Sequence, residues 1–150
     1  HYDKVDEGSS YDGDSTRVYH SSATPYRDLY VFEDLPSGVG SIVSVAVKII
    51  CRQFAGTGGY YKTAIKTNGT VYDGTQITST TTYTEYSTVY TTNPYTGNPW
   101  TISEVNALQA GVVLKSNGSN GIACTSVYVE VVWNPPTALG NVGIGSPLIF

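Results

Sequence analysis

Charged side chains are scarce in this sequence. Lysine, arginine, aspartate and glutamate together make up 13% of the 150 residues, and the net charge is −4. The eight basic residues are scattered, so they do not form the basic stripe that is typical of a nucleic-acid-binding protein. The sequence also lacks the run of about 18 apolar residues that a membrane-spanning helix requires. We therefore expect neither a nucleic-acid partner nor a helix that spans a membrane.

Residue types that carry catalytic chemistry are also rare. The sequence has two histidines and two cysteines, with no Cys-x-x-Cys motif and no serine in a Gly-x-Ser-x-Gly elbow. Hydrolytic sites need a nucleophile with a base and an orienting group, or two poised carboxylates, and no segment indicates either arrangement. We therefore expect a protein without enzymatic activity, catalytic residues or a cofactor.

The two cysteines, Cys51 and Cys124, both fall in predicted strands. Two interpretations stay open. The pair forms a disulfide if the protein is extracellular or part of a virion, or the two residues are buried free thiols that pack as small apolar side chains.

The segment "YDGDST" contains the one weak candidate for a metal site. Asp12 and Asp14 offer oxygen ligands of the kind that Ca²⁺ prefers, but the distal glutamate of a complete calcium loop is absent. A polar turn explains the same residues. We therefore predict no metal site, with Asp12 and Asp14 as the calcium alternative.

What the sequence has in abundance is β-forming and turn-forming residues, including 13 tyrosines and 16 glycines. The segment "SIVSVAVKIICRQF" places Val43, Val45, Val47 and Ile49 on one face of a strand. Seven or eight such segments, separated by turn signals such as Asn68-Gly69, predict an all-β protein, an antiparallel β-sandwich of jelly-roll type.

The predicted domain covers residues 1–133 and begins with an irregular N-terminal arm over residues 1–27. The segment Asn117–Gly121 carries the residues of a further hairpin turn. Residues 134–150 form a C-terminal extension, because Pro135-Pro136 cannot continue a central strand.

The connector "TNPYTGNPWTISEVNALQAG" contains the one predicted helix, at about residues 101–109. Thr101 and Glu104 have the spacing of a capping box. Ile102, Val105 and Leu108 form its apolar stripe, and Gly111 supplies the stop. We predict that this short helix plugs one open end of the sandwich, with Trp100 as its anchor.

Two features predict contacts between subunits. The tail ends in Leu148, Ile149 and Phe150, which we expect to dock on a neighbouring subunit, with docking on the same domain as the alternative. The tyrosine-rich segment 76–92 predicts an interface through Tyr83, Tyr86 and Tyr90. The alternative role is a sugar-stacking platform, whose candidate residues are Tyr60, Tyr61, Tyr83, Tyr86, Tyr90 and Tyr95.

Several segments carry a resemblance to a known family. They are "HYDKVDE", "DLYVFEDLPSGVGSIVSVAV", "TVYDGTQ", "NPYTGNPWTISEVNALQAGV" and "VYVEVVW". In this order, from His1 to Trp133, they resemble tailed-bacteriophage and prophage proteins described as tail-fibre-like or virion structural proteins. The resemblance implies a β-sandwich virion component with no catalytic residues to carry over. The sequence departs from the family pattern after Trp133.

These observations together predict a non-enzymatic structural subunit of a virion, in a phage tail, a fibre or the capsid surface as a decoration protein. Its expected partners are copies of itself and other virion proteins, and its expected location is the virion or the extracellular space. The alternatives are an adhesin module that binds a host-surface glycan and a subunit of a cellular extracellular filament. The chain begins at His1, which indicates a processed product or a part of a longer protein.

Overall fold

The computed structural model describes residues 4–6, 8–56, 58–118, 120–136 and 147–149. Within these residues the chain forms strands and one short helix. In chain order they are β1 (Val18–His20), β2 (Tyr26–Val31), β3 (Ile42–Gln53), β4 (Tyr60–Thr67), β5 (Thr70–Asp73), β6 (Ile77–Thr78), β7 (Thr84–Tyr90), α1 (Ile102–Asn106), β8 (Gln109–Lys115), β9 (Ile122–Trp133) and β10 (Leu148–Ile149).

The strands form two antiparallel sheets that pack face to face. Sheet A has the order β1-β9-β3-β7, with β10 also paired to β9, and sheet B has the order β2-β8-β4-β5, with β6 also paired to β4. Thus β1 pairs with β9, β2 with β8 and β3 with β7, and the innermost pair is the hairpin of β4 and β5. This nested pairing is the jelly-roll arrangement, so the predicted fold class is confirmed.

The centre of sheet A is the ladder between β3 and β9, which runs from Ile42 opposite Trp133 to Gln53 opposite Ile122. The predicted buried face of β3 is correct for Val45, Val47 and Ile49. It is wrong for Val43, which is exposed, because a register shift between Ile42 and Ser44 turns Ile42 inward in its place. Apolar side chains of both sheets fill the interior in two clusters, one toward each end of the sandwich.

One end of the sandwich, the loop end, is formed by the β1–β2, β3–β4 and β8–β9 connections. The Phe54 amide donates to the Gly121 carbonyl at 2.8 Å, and the Ser116 amide donates to the Ser22 carbonyl at 3.1 Å. The β8–β9 connection therefore joins the two sheets, and the predicted hairpin over Asn117–Gly121 is wrong. The same turn-forming residues suit a connection between two sheets and a hairpin within one sheet, so the sequence did not distinguish the two.

The β4–β5 turn does form the predicted hairpin. Asn68 and Gly69 have φ angles of 51° and 80°, the positive values that a type I′ turn requires at both positions. By contrast, the predicted irregular arm over residues 1–27 contains β1 and the first residues of β2. With three residues, β1 is too short to show a period, and its place depends on its pairing with Ile122–Cys124 of β9.

The opposite end, the plug end, holds α1. The Thr101 hydroxyl accepts from the Glu104 amide at 3.2 Å, and the Glu104 carboxylate accepts from the Thr101 amide at 2.9 Å, so the predicted capping box is confirmed. Trp100 is buried, and its indole Nε1 donates to the Tyr90 carbonyl at 3.1 Å. The predicted anchor therefore ties the connector both to the core and to the end of β7.

The helix is shorter than the predicted span of residues 101–109. It ends at Asn106, because β8 begins at Gln109, where it pairs with β2 and β4 on its two sides. Gly111 lies inside β8 rather than at a helix stop. A side chain there would meet the backbone of Asp28 on β2, which explains why glycine occupies this position.

Candidate functional site

The loop end carries a surface of aromatic rings and guanidinium groups. The Arg52 guanidinium lies 4.2 Å from the centre of the Phe54 ring and 5.1 Å from the centre of the Tyr83 ring, and the Arg17 guanidinium lies 5.3 Å from Phe54. Tyr19 meets the Phe54 ring edge to face at 5.7 Å. We call Arg17, Tyr19, Arg52, Phe54 and Tyr83 the aromatic–cation surface.

Asp14 holds this surface together. Its carboxylate accepts from the Tyr83 hydroxyl at 2.8 Å, forms an ion pair with Arg52, and lies 3.5 Å from the Arg17 guanidinium. Desolvation acts to raise the pKa of Asp14, but the Tyr83 hydrogen bond and the two arginine charges outweigh it, so the pKa is lowered. The same hydrogen bond to Asp14, together with burial as the larger cause, raises the pKa of Tyr83.

The two aspartates of the calcium alternative do not converge on one point. Asp12 turns back on its own segment, where its two carboxylate oxygens accept from the Thr16 amide and hydroxyl, both at 3.1 Å. Asp14 faces two guanidinium groups, and their positive charges already balance its carboxylate in the place where a cation would lie. In the described part of the chain, no group of three or more histidine, cysteine, aspartate or glutamate residues is placed to hold a metal ion.

Replacing Asp14 by asparagine is expected to lower the free energy of unfolding by about 1 kcal/mol near pH 7, since exposed ion pairs are individually weak. The folded-state pKa of Asp14 lies below its ordinary value of 3.8, so its contribution is present above about pH 4 and is lost as the pH falls through the folded-state pKa. Chemical denaturation of both proteins at about pH 7 and about pH 2 measures this. A difference that persists at the lower pH would contradict the assignment.

An open cleft of about 370 Å³ lies beside this surface and is lined by Lys4, Arg17, Val18, Tyr19, His20 and Tyr26. The His20 ring stacks on Tyr26 at 5.6 Å, and its Nε2 donates to the Thr24 carbonyl at 2.7 Å. Its described lining contains three side chains that can carry positive charge and no carboxylate. The cleft therefore combines aromatic and cationic groups in a protein whose net charge is negative.

The tyrosines predicted to form a subunit interface are used inside the domain. The Tyr86 ring packs 5.3 Å from the buried Tyr61 ring, and Tyr83 belongs to the aromatic–cation surface. Tyr90 packs on the core at the plug end, and desolvation, with a smaller effect of Asp73, raises its pKa to about 12. From Tyr86 onward the burial of β7 alternates, which puts Tyr86, Thr88 and Tyr90 on the core side.

The tyrosine platform predicted for sugar binding is not assembled either. Tyr61 is fully buried and its hydroxyl accepts from the Thr80 amide at 2.7 Å, so it cannot stack on a ligand. Tyr60 is partly buried with the Lys62 and Lys115 ammonium groups over its ring, and Tyr95 lies in the separate β7–α1 connector. The exposed aromatic residues that do gather, Tyr19 and Phe54, were missed because they come from two segments that are far apart in the sequence.

The C-terminal residues dock on their own chain. Leu148 and Ile149 form β10, which pairs with Val131 and Glu130 of β9, and Leu148 packs on the core cluster. Within this chain the tail therefore takes the same-domain alternative, and docking on a neighbouring subunit stays a prediction. The tail docks on β9 because the edge of this strand beyond Val127 has no other described strand to pair with. Up to that point the edge is occupied, since the Val127 amide donates to the Val5 carbonyl at 3.0 Å. Phe150 and residues 137–146 lie outside the described residues.

The two cysteines are free, fully buried and directly opposite each other. Cys51 of β3 is the register partner of Cys124 of β9, just past the register shift after Ile50. Burial, with a hydrogen bond to Cys124 as the next cause, raises the pKa of the Cys51 thiol. Both residues are thiols in this structure. Because they lie directly opposite each other on paired strands, the arrangement is also compatible with a disulfide between them.

The unpaired edge of β7 is a further surface, which the sequence analysis did not identify. β7 has β3 on one side, and no described strand pairs with its other side. It carries one charged residue, Glu85, whose carboxylate accepts from the Tyr128 hydroxyl and lies 3.7 Å from the Lys48 ammonium. Val89 on this strand is 59% exposed. The signal available in the sequence was a long stretch of β-formers with few charges.

Comparison of the chain with protein-family models, with curated proteins and with solved structures finds no match in any of the three. Among the described residues, no helix has the length and the apolar character that crossing a membrane requires. The fold and the geometry of the site are therefore the basis for a functional proposal.

Proposed function

We propose that the chain is a non-enzymatic structural subunit of a virion, and that copies of it associate through the open edge of β7. The observation that carries this proposal is that edge: seven residues of strand with one carboxylate, no lysine and no proline. Unpaired strand edges bind further strands unless charges, prolines, bulges or covering segments block them. On β7 the one charge is already engaged with its own sheet.

The other described edges of the sandwich are protected. The outer edge of β9 is covered in turn by β1, Val5 and β10, and β1 and β10 are themselves three and two residues long. On sheet B, β2 presents Arg27 and Asp28, and β5 and β6 have four and two residues. This contrast makes β7 the edge at which a second copy is expected to add its strand.

Pairing of two β7 strands is self-complementary. If two copies meet antiparallel about a two-fold axis at Ser87, Glu85 of each copy lies opposite Val89 of the other. Like charges are then not directly opposed, and the exposed Val89 gains a neighbour across the interface. The low charge content of the chain also reduces the cost of removing water from the surrounding surface.

Further support comes from fold-level analogy and from the segment resemblance. Jelly-roll domains occur in viral capsids and also in lectins, so this fold alone does not assign a function. The order of the segments from His1 to Trp133 resembles phage and prophage virion proteins, which favours a tail, fibre or capsid-surface location in contact with other virion proteins. A subunit of a cellular extracellular filament would use the same β7 edge.

The proposal is tested by placing charge on the edge. The double substitution Ser87→Glu and Val89→Glu places like charges opposite each other at the two-fold axis and opposite Glu85 of the other copy. We therefore expect self-association to weaken by about tenfold or more. Sedimentation velocity over a concentration series, with negative-stain electron microscopy, gives the measurement.

The charge-matched control is Val31→Glu with Ile102→Glu, two exposed positions away from β7. It should associate like the unmodified chain. Association that is equally weakened in the control would point to net charge rather than to the edge. A chain that stays monomeric at about 100 µM, or a β7 variant that still assembles, would rule the β7 interface out.

A further inference from the structure

We propose that the cleft at the loop end binds an acidic saccharide, a pyranose ring that carries a carboxylate. In this assignment the sugar ring stacks on Tyr19, and its carboxylate faces the guanidinium of Arg17. This site is separate from the β7 edge, so it adds a recognition activity to the proposed structural role. It also gives the adhesin alternative a location in the fold.

The size and shape of the cleft fit a small ligand. Its volume of about 370 Å³ lies within the range of roughly 300–1,000 Å³ that is common for small-molecule sites. The cleft is open to solvent, as binding to a sugar within a longer glycan chain requires. One wall is the sequence Arg17-Val18-Tyr19-His20, where Val18 is buried and anchors the segment to the core.

Tyr19 is both exposed and held in place. The residue is 55% exposed. It also meets the Phe54 ring at 5.7 Å and lies directly on Gly121, where any side chain would collide with it. A ring that is fixed before binding loses little conformational freedom when a ligand stacks on it. Tyrosine suits a sugar because its face is apolar and its hydroxyl can form a hydrogen bond.

The guanidinium of Arg17 in the lining of the cleft favours an acidic over a neutral sugar. The described contacts of Arg17 to Asp14 use Nη1. A guanidinium has further N–H donors on Nη2 and Nε, in a planar arrangement that matches the two oxygens of a carboxylate.

A nucleic acid fits these features less well. Aromatic stacking is common to bases and sugars, but a nucleic-acid site adds a basic groove that follows several phosphates. Beyond Lys4, Arg17 and His20, the basic residue of the aromatic–cation surface is Arg52, and its guanidinium is engaged with Asp14 and two aromatic rings. The local charge therefore suits a single carboxylate rather than a phosphate backbone.

The test is titration of the full chain with tetragalacturonate, followed by isothermal calorimetry and by amide chemical shifts of residues 17–20. Maltotetraose is the matched neutral sugar. We expect binding of the acidic oligosaccharide with shifts at the cleft, and binding of maltotetraose that is weaker by about tenfold or more. Equal binding of the two sugars would overturn the role of the charges. No binding of either sugar would overturn the site.

Variants identify the residues. Tyr19→Ala is expected to weaken tetragalacturonate binding by about tenfold, because the stacking face is lost. Tyr95→Ala removes a ring of nearly equal exposure, 53%, elsewhere on the surface and should leave binding unchanged. Circular dichroism confirms that both variants fold. If Tyr19→Ala binds like the unmodified chain, the ring does not form the site.

Two further arms identify the ligand class. Competition by sodium sulfate at equal concentration would show a simple anion site, and tighter binding of an oligothymidylate of equal charge would show a nucleic-acid site, so either result overturns the saccharide assignment. The Ser87→Glu and Val89→Glu variant should retain saccharide binding. Loss of assembly and loss of binding are therefore distinguishable, because they follow from different substitutions.

Discussion

Replacing Trp100 by alanine is expected to lower the free energy of unfolding by about 3–5 kcal/mol, the usual range for removing a large buried aromatic side chain. Trp100 is buried among core residues of both sheets and is also hydrogen-bonded to the Tyr90 carbonyl. Its loss leaves a cavity at the plug end and an unsatisfied carbonyl at the end of β7. The cost therefore includes a packing term and a hydrogen-bond term.

Thermal unfolding followed by circular dichroism measures this effect. For a domain of this size, a loss of about 3–5 kcal/mol corresponds to a fall in Tm of roughly 6–20 °C. Ile102→Ala is the matched control, because Ile102 lies in the same connector but is 40% exposed, and its loss should cost about 1 kcal/mol or less. Equal shifts for the two variants would show that Trp100 does not anchor the connector.

Formation of a disulfide between Cys51 and Cys124 is the second large effect that we expect. Directly opposite residues of antiparallel strands have Cα atoms about 4.5–5.5 Å apart, and disulfides span about 4.4–6.8 Å. Refolding with glutathione disulfide should form one Sγ–Sγ bond, while the oxidant is reduced to two glutathione thiols. Since the closed loop contains roughly 70 residues, the crosslink should raise the free energy of unfolding by about 2–4 kcal/mol.

The oxidant must be present during refolding. In the folded protein both thiols are buried, and the raised pKa of the Cys51 thiol keeps it protonated, so reaction with an oxidant should be slow. Intact mass, which falls by about 2 Da, and thiol titration after denaturation give the result. Cys51→Ser is the control that cannot form the bond. Two titratable thiols after oxidative refolding would contradict the prediction.

Local signals in the sequence predicted local structure well. The alternation of Val45, Val47 and Ile49 predicted the buried face of β3, and Thr101 with Glu104 predicted the start of α1. Each of these signals is read within a few neighbouring residues, because a strand face or a capping box is made by residues close in sequence. The jelly-roll class followed from the number and spacing of such segments.

Features set by distant residues were not predictable in the same way. The length of α1 depends on where β8 finds its partners on β2 and β4. The aromatic–cation surface needs Arg17, Arg52 and Tyr83, which come from three separate segments. The tyrosines of β7 were predicted to be an interface because a half-exposed strand does not reveal which face turns inward.

The long ladder between β3 and β9 has a consequence for how the chain reaches its native state. It joins residues 42–53 to residues 122–133, so most of the polypeptide must be synthesised before the central pairing of sheet A can form. Closing such a large loop is entropically unfavourable, and proteins dominated by non-local pairing fold in milliseconds to seconds. Refolding should therefore be slow, and the hairpin of β4 and β5, which pairs neighbours in sequence, is the element best placed to form early.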